Sequence, residues 1–150
     1  MINNNEEFSR RFFIFDCLVK KEYHKIMGRN KKFNQEQVLA EIGKLFVKYG
    51  FNATSLDDIV KCTGLLRGSL YSTFGSKQGM FVSALKLSLK GENNQVSWGL
   101  LIIAMLEVAP RNNMVRDIVQ QWYKENKSAN VAELIGLQLL KHGGIIEGGQ

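Results

Sequence analysis

The chain has 150 residues, of which 45% are hydrophobic and 23% are charged, and this is enough apolar mass for one typical domain with a core. No run of about 18 apolar residues occurs, so the sequence predicts no membrane-spanning helix, and Cys17 and Cys62, outside any C-x-x-C motif, indicate a reduced, cytoplasmic protein. The net charge of +6 is uneven, because residues 1–90 carry 15 Lys and Arg against 8 Asp and Glu, whereas residues 91–150 carry 5 against 6.

The positive charge of residues 1–90 favours a polyanionic partner such as nucleic acid, although a solvated basic surface would give the same balance. Residues 1–26 are interpreted as an N-terminal extension, and two interpretations of it stay open. Apolar residues from Phe8 to Val19 have helical spacing. However, Met27 opens "MGRNKKF", which reads like a natural start. The extension lacks the apolar stretch and cleavage site of a signal peptide.

Two helices are predicted next, each with its own capping residues. Asn34 begins the first helix and Gly50 ends it. Ser55, with Asp58 three residues on, begins a second and shorter helix that ends at Gly64. The first helix, about 35–49, carries apolar residues at a 3.6-residue period: Val38, Leu39, Ile42, Leu45, Phe46 and Tyr49.

A third helix is predicted over Arg67–Phe74 and a fourth from the Ser76 cap to about Leu89. Two short helices joined around a glycine, preceded by a longer helix, are typical of a helix-turn-helix unit in a three-helix bundle. The second helix of such a pair enters the major groove of DNA. Leu70 and Phe74, four residues apart, would anchor this recognition helix to the bundle.

The other residues around the recognition helix suit contact with DNA. Gly68 and Ser69 are small enough for the backbone to approach DNA closely. Ser72 and Thr73 can reach base edges. Arg67, Lys77 and Tyr71 suit contacts with phosphates.

Residues 28–85, from "GRNKKF" to "MFVSAL", resemble the DNA-binding domain of the tetracycline-repressor (TetR) family, in the subgroup with a G-R-x-x-x-F arm. The resemblance rests on an ordered run of motifs: "LF", "YGFNATS", "DDI", "TG", "RGSLY", "FGSK" and "MF". It implies an all-α homodimer with a DNA-binding domain at residues 27–90 and a dimerisation and ligand-binding domain at residues 91–150. It also implies a repressor that a small-molecule effector releases from a palindromic operator in double-stranded DNA.

The resemblance further implies DNA contacts at the recognition helix, the starts of the second and fourth helices, and the arm. These contacts fall on Arg67, Gly68, Ser69, Tyr71, Ser72 and Thr73; on Ser55 and Leu56; on Lys77; and on Arg29, Lys31 and Lys32. No cofactor or metal is implied.

Two features depart from the family pattern. Leu66 stands where a serine or threonine usually caps the recognition helix, and the loss of such a cap typically costs about 1 kcal/mol. "GLLIIAMLEVAPRNNMVRDIVQQWY" resembles the middle of the family's regulatory domain, with one helix ending near "LEVAP" and another beginning. Only "KGENNQVSW" separates this segment from the fourth helix, where the family pattern has a further helix or more. The sequence ends at "LLKHGGIIEGGQ", where the family pattern continues through the last two dimerisation helices. The resemblance therefore predicts a shortened helical regulatory domain.

Several C-terminal residues fall at helical spacing and are interpreted as core, with a ligand pocket or a dimer face as alternatives. Trp98 and Trp122 could instead stack on a planar ligand, while Arg111 and Arg116 are expected to be solvated. The residues at helical spacing are Val115, Ile118, Val119, Trp122 and Tyr123, followed by Val131, Leu134, Ile135, Gln138 and Leu139.

An enzyme is the first rival interpretation, and the sequence argues against it. His24 and His142 lie at opposite ends, and no zinc-protease, nucleophile-elbow or P-loop motif occurs. Asp57 and Asp58 are read as helix N-terminal charges, and Cys62 as a buried structural thiol. The second rival is a truncated, degenerate helical protein that acts as an interaction module or has lost regulation.

Overall fold

The computed structural model describes residues 34–91, 95–128 and 130–147, and within these ranges every regular element is a helix. None of the described helices has the length and apolar character needed to cross a membrane. The predicted extension at residues 1–26 lies outside the described residues. The elements are α1 (Gln35–Tyr49), α2 (Leu56–Thr63), α3 (Arg67–Phe74), α4 (Lys77–Lys90), α5 (Gln95–Ile103), a π-helical turn (Ala104–Val108), a 3-10 turn (Ala109–Arg111), α6 (Asn113–Glu125) and α7 (Val131–His142). The all-α fold class is confirmed, as are the four predicted N-terminal helices.

The helices begin and end where the sequence places capping residues. The Asn34 side chain accepts a hydrogen bond from the Glu36 N–H at 3.0 Å. Ser55 and Asp58 form the reciprocal pair expected of a capping box, with the Asp58 N–H on Ser55 Oγ at 3.1 Å and the Ser55 N–H on Asp58 Oδ2 at 2.9 Å. Gly64 ends α2 with φ +71°, a left-handed conformation that favours glycine. Local signals therefore explain even the eight-residue α2.

The core is built around α1, which contacts α2, α4 and α5. Ile42, Leu45 and Phe46 on α1 are completely buried, and each such side chain contributes about 1.5–3 kcal/mol when removed from water. Phe46 meets Phe81 of α4 in an edge-to-face contact, with ring centroids 5.2 Å apart. The same continuous core extends to Val115 of α6, so the N-terminal helices and the later helices pack together.

An irregular bend separates α5 from α6 near "LEVAP", where one helix is predicted to end and another to begin. The π-helical and 3-10 turns fill this bend, and Asn112 caps α6 by accepting the Val115 N–H at 2.9 Å. Arg116 is exposed, as expected. Its exposed guanidinium donates to the carbonyls of Ala109 at 3.2 Å and Pro110 at 3.1 Å, because α6 brings it back over the bend.

A smaller apolar cluster joins α5, α6 and α7 through Leu101, Trp122 and Val131. Trp98 packs edge to face on Trp122 with ring centroids 5.8 Å apart, in accord with the core interpretation of this pair. The core interpretation is wrong for three other residues. Within the described chain no layer covers the outer sides of α6 and α7, so these side chains are exposed: Tyr123 at 41%, Leu134 at 42% and Leu139 at 41%.

Candidate nucleic-acid interface

Helix α3 has one anchored side and one open side. Leu70 is completely buried and Phe74 packs against the core in a half-buried position, as predicted from their spacing. The N-terminal residues of the helix, Arg67 and Gly68, are exposed. This arrangement leaves a polar surface of small side chains on a helix whose position the core fixes.

The open side of α3 carries the residues predicted to contact DNA. Tyr71 is 45% exposed, Ser72 is exposed, and Ser69 and Thr73 are half-buried. A side chain at Gly68 would meet nothing within 4 Å, so no neighbour in the described chain requires glycine there. The Ser72 hydroxyl donates to the Ser69 carbonyl at 3.0 Å, a local bond that a DNA acceptor can replace.

Arg67 is held at the start of α3 by an ion pair with Asp57 in the first turn of α2. Both side chains are well exposed, with 57% of Arg67 and 65% of Asp57 accessible. Exposed ion pairs of this kind contribute little free energy, so the guanidinium can exchange its partner for DNA at low cost. The sequence predicts Asp57 only as a helix N-terminal charge, because no local motif signals a pairing between residues ten positions apart.

The start of α2 is joined to the start of α3 by the Arg67–Asp57 ion pair. The Ser55 hydroxyl is committed to its capping box, where it also donates to Asp58 Oδ2 at 2.7 Å. Leu56 is half-buried and packs against the core, so its backbone rather than its side chain is available to a phosphate. The first N–H groups of a helix have no partner within the helix and suit an anion.

Lys77, at the start of α4, lies against the turn that joins α1 to α2. Its Nζ donates to the carbonyls of Phe51 and Thr54, at 2.8 Å each, and lies 4.5 Å from the centre of the Phe51 ring. Partial burial lowers the pKa of Lys77 below its ordinary value of 10.5, and the nearby Glu107 carboxylate opposes this shift. An ammonium group has three N–H donors, so one donor remains for a phosphate.

Glu107 is a residue at this site that the sequence reading missed. Its carboxylate accepts the N–H of Asn52 at 2.8 Å, although 55 positions separate the two residues. No short-range motif signals such a contact. Three residues of the predicted arm, Arg29, Lys31 and Lys32, lie outside the described residues. In the part of the chain that the structure describes, no group of His, Cys, Asp and Glu side chains could hold a metal ion.

The N-terminal helices match a known protein family. Residues 38–84 match the model of the bacterial regulatory proteins of the tetR family. This segment contains most of α1, all of α2 and α3, and the first part of α4. No solved structure matches the chain.

Curated relatives carry the same kind of domain. The chain is 39% identical over 95 residues to an uncharacterized HTH-type transcriptional regulator, YezE of Bacillus subtilis, covering 63% of this chain and 46% of the relative. It is 41% identical over 61 residues to the HTH-type transcriptional repressor ComR of Escherichia coli, covering 41% of this chain and 29% of the relative. It is 35% identical over 68 residues to the HTH-type transcriptional repressor BdcR of the same organism, covering 45% of this chain and 34% of the relative. The chain therefore spans less than half the length of these relatives.

Proposed function

We propose that this chain, whose N-terminal part is a helix-turn-helix domain of the TetR family, is a DNA-binding transcriptional regulator that represses transcription from a palindromic operator. One observation carries the proposal. Helix α3 is fixed to the core by Leu70, while its other side exposes Ser72 and Tyr71 and its first residue, Arg67, is also exposed. A helix anchored in this way can enter the major groove without reorganising the bundle.

The residues divide into two roles in this proposal. Lys77, Tyr71 and the start of α2 bind phosphates, and these contacts position the protein without reading sequence. Arg67, Ser69, Ser72 and Thr73 of α3 reach base edges in the major groove, where each base pair presents its own pattern of donors and acceptors. Arg67 leaves Asp57 for DNA because the exposed pair is weak. Arg29, Lys31 and Lys32 form a basic arm that follows the minor groove.

The homodimer and the effector are also parts of the proposal. A palindromic operator requires two recognition helices related by a two-fold axis. The relatives ComR and BdcR are both named repressors, which supports the direction of regulation. A small molecule bound among α5, α6 and α7 would release the protein from DNA.

The proposal is tested by selecting duplexes from a random library with the pure protein and sedimenting it with the selected duplex. We expect a dimer that binds a palindromic sequence more tightly than a shuffled duplex of the same composition. A monomer that selects no sequence and binds all DNA with the same weak, salt-sensitive affinity would contradict the proposal. That result would favour the interaction module, which the exposed Leu134 and Leu139 would then serve.

A further inference from the structure

The turn between α1 and α2, residues 50–54, is held from two directions. Lys77 of α4 donates to its carbonyls at Phe51 and Thr54, at 2.8 Å each. Glu107 of the π-helical turn accepts the N–H of Asn52 at 2.8 Å. The turn is therefore hydrogen-bonded both to α4, which follows the recognition helix α3, and to the bend between α5 and α6.

The backbone of this turn leaves space for the Glu107 carboxylate. Gly50 has φ +82°, and a Cβ there would lie 2.5 Å from Glu107 Oε1. The Glu107 carboxylate therefore occupies the space beside Gly50 that a side chain there would enter. Thr54 is completely buried, and its hydroxyl donates to the Gly50 carbonyl at 2.7 Å, which closes the turn on itself.

Phe51 anchors this turn, residues 50–54, to the core. Its ring packs against Phe46 and Phe81, with centroids 5.7 Å and 5.3 Å away, and the Lys77 ammonium lies over its face. Burial lowers the pKa of Lys77, and the attraction of the Glu107 carboxylate for this ammonium opposes that shift. The turn, the cation and the carboxylate therefore form one connected unit.

Resting on the proposed function, we infer that Glu107 is a positioning residue for DNA binding. The held turn ends directly at Ser55, the cap of α2, and the first N–H groups of α2 are among the proposed phosphate contacts. A carboxylate that fixes the Asn52 amide fixes the direction in which α2 begins. Glu107 does this from the bend that follows α5, without contacting DNA itself.

The test compares Glu107→Ala and Glu107→Gln with Glu125→Ala, a control that removes the same charge from an exposed position at the end of α6. The probes are the duplex that the wild-type protein selects from a random library and its shuffled counterpart. We expect Glu107→Ala to bind the selected duplex about fivefold to tenfold more weakly, the loss of roughly one hydrogen bond. The salt dependence should stay unchanged, because no phosphate contact is lost.

The conservative variant separates positioning from a loss of charge or of folding. Glu107→Gln keeps an oxygen that accepts the Asn52 N–H, so it should bind nearly as well as the wild type, and Glu125→Ala should bind at least as well. Hydrogen exchange at the Asn52 amide should accelerate in Glu107→Ala alone, at a temperature where all variants are folded. Each of these results supports the inference.

Two results would overturn it. One is Glu107→Ala that binds like the wild type, and the other is an Asn52 amide that exchanges at the wild-type rate in that variant. A wild-type protein that selects no duplex would refute the proposed function, and with it the role of Glu107 in DNA binding. If the wild type selects a duplex and Glu107→Ala binds it equally well, the proposed function stands and only the role of Glu107 fails.

Discussion

Lys77 and Thr73 both belong to the proposed DNA-binding surface, but they lie in different helices and have different proposed roles. The Lys77 ammonium lies on two backbone carbonyls of the turn before α2, and no base-reading residue is among its partners. Thr73 lies in α3, half-buried on the helix that enters the groove in the proposed function. The two residues therefore provide a matched test of phosphate binding against base reading.

We predict that Lys77→Ala weakens binding to the selected and the shuffled duplex by the same factor. The variant loses one phosphate donor, so the slope of log affinity against log salt concentration should fall by about 1. It also loses two hydrogen bonds to the turn before α2, whose proposed contacts are with phosphates and so do not distinguish the two duplexes. Thr73→Ala should instead weaken the selected duplex by about 1–3 kcal/mol per lost base contact and leave the slope unchanged. Fluorescence anisotropy across a salt series measures both. Equal losses on both duplexes for both variants would refute this division of roles.

At the scale of the element, α3 begins without a side-chain cap. Leu66 occupies the cap position with a side chain that is 77% exposed and accepts no hydrogen bond. The neighbouring helices α2 and α4 begin at Ser55 and Ser76, whose hydroxyls accept backbone N–H groups. Of these three helices, α3 is thus the one whose first turn has no side-chain hydrogen bond from its cap residue.

We predict that Leu66→Ser stabilises the protein by about 0.5–2 kcal/mol, the usual contribution of a serine cap. Little apolar burial is lost, because Leu66 is mostly exposed. Thermal or urea unfolding measures the gain, with Leu66→Ala as the control that removes the side chain without adding a cap. A Leu66→Ser variant no more stable than Leu66→Ala would show that the hydroxyl does not cap α3.

The contact between α3 and α4 depends on a second local feature, the glycine in the first turn of α4. A Cβ at Gly79 would overlap the carbonyl oxygen of Phe74, the last residue of α3. Backbone cannot move away as a flexible side chain can, so the two helices would have to separate. Gly68, on the open side of α3, has no such neighbour.

We predict that Gly79→Ala lowers the free energy of unfolding by about 1–3 kcal/mol, the usual cost of overpacking. Gly68→Ala should raise it by about 0.5–1 kcal/mol, because alanine favours the helix and meets no neighbour. Urea denaturation of both variants gives the comparison. Similar changes in the two variants would mean that helix propensity, and not the approach of α3 to α4, decides the outcome.

The sequence predicts the helices well because their signals are local. The Ser55–Asp58 box and the Leu70–Phe74 spacing lie within one or two helical turns, and both are found in the structure. The bond from Glu107 to Asn52 joins residues 55 positions apart, so only the packed fold brings them together. For the same reason the spacing of Leu134 predicted a helix but not which neighbour would cover it.

At the scale of the whole molecule, the later helices leave apolar side chains outside the core. Leu134, Leu137 and Leu140 of α7 are 42%, 39% and 44% exposed. They follow one another at three-residue spacing along the helix, so they lie close together on its surface. A homodimer, as proposed, would cover such a surface with its own copy, and each residue would then be used twice about the two-fold axis.

We predict that Leu140→Glu weakens this dimer by about 100-fold or more. Two leucines leave the interface, and each contributes about 1.5–3 kcal/mol of burial. Leu106→Glu provides the control, because Leu106 is 60% exposed and belongs to the turn after α5 and not to α7. Sedimentation over a range of protein concentrations should show a monomer for Leu140→Glu and a dimer for Leu106→Glu and the wild type. If Leu140→Glu stays dimeric, the dimer uses another surface. If it becomes monomeric and also loses preference for the selected duplex while retaining weak binding to all DNA, then dimerisation through α7 is what allows two recognition helices to read one operator.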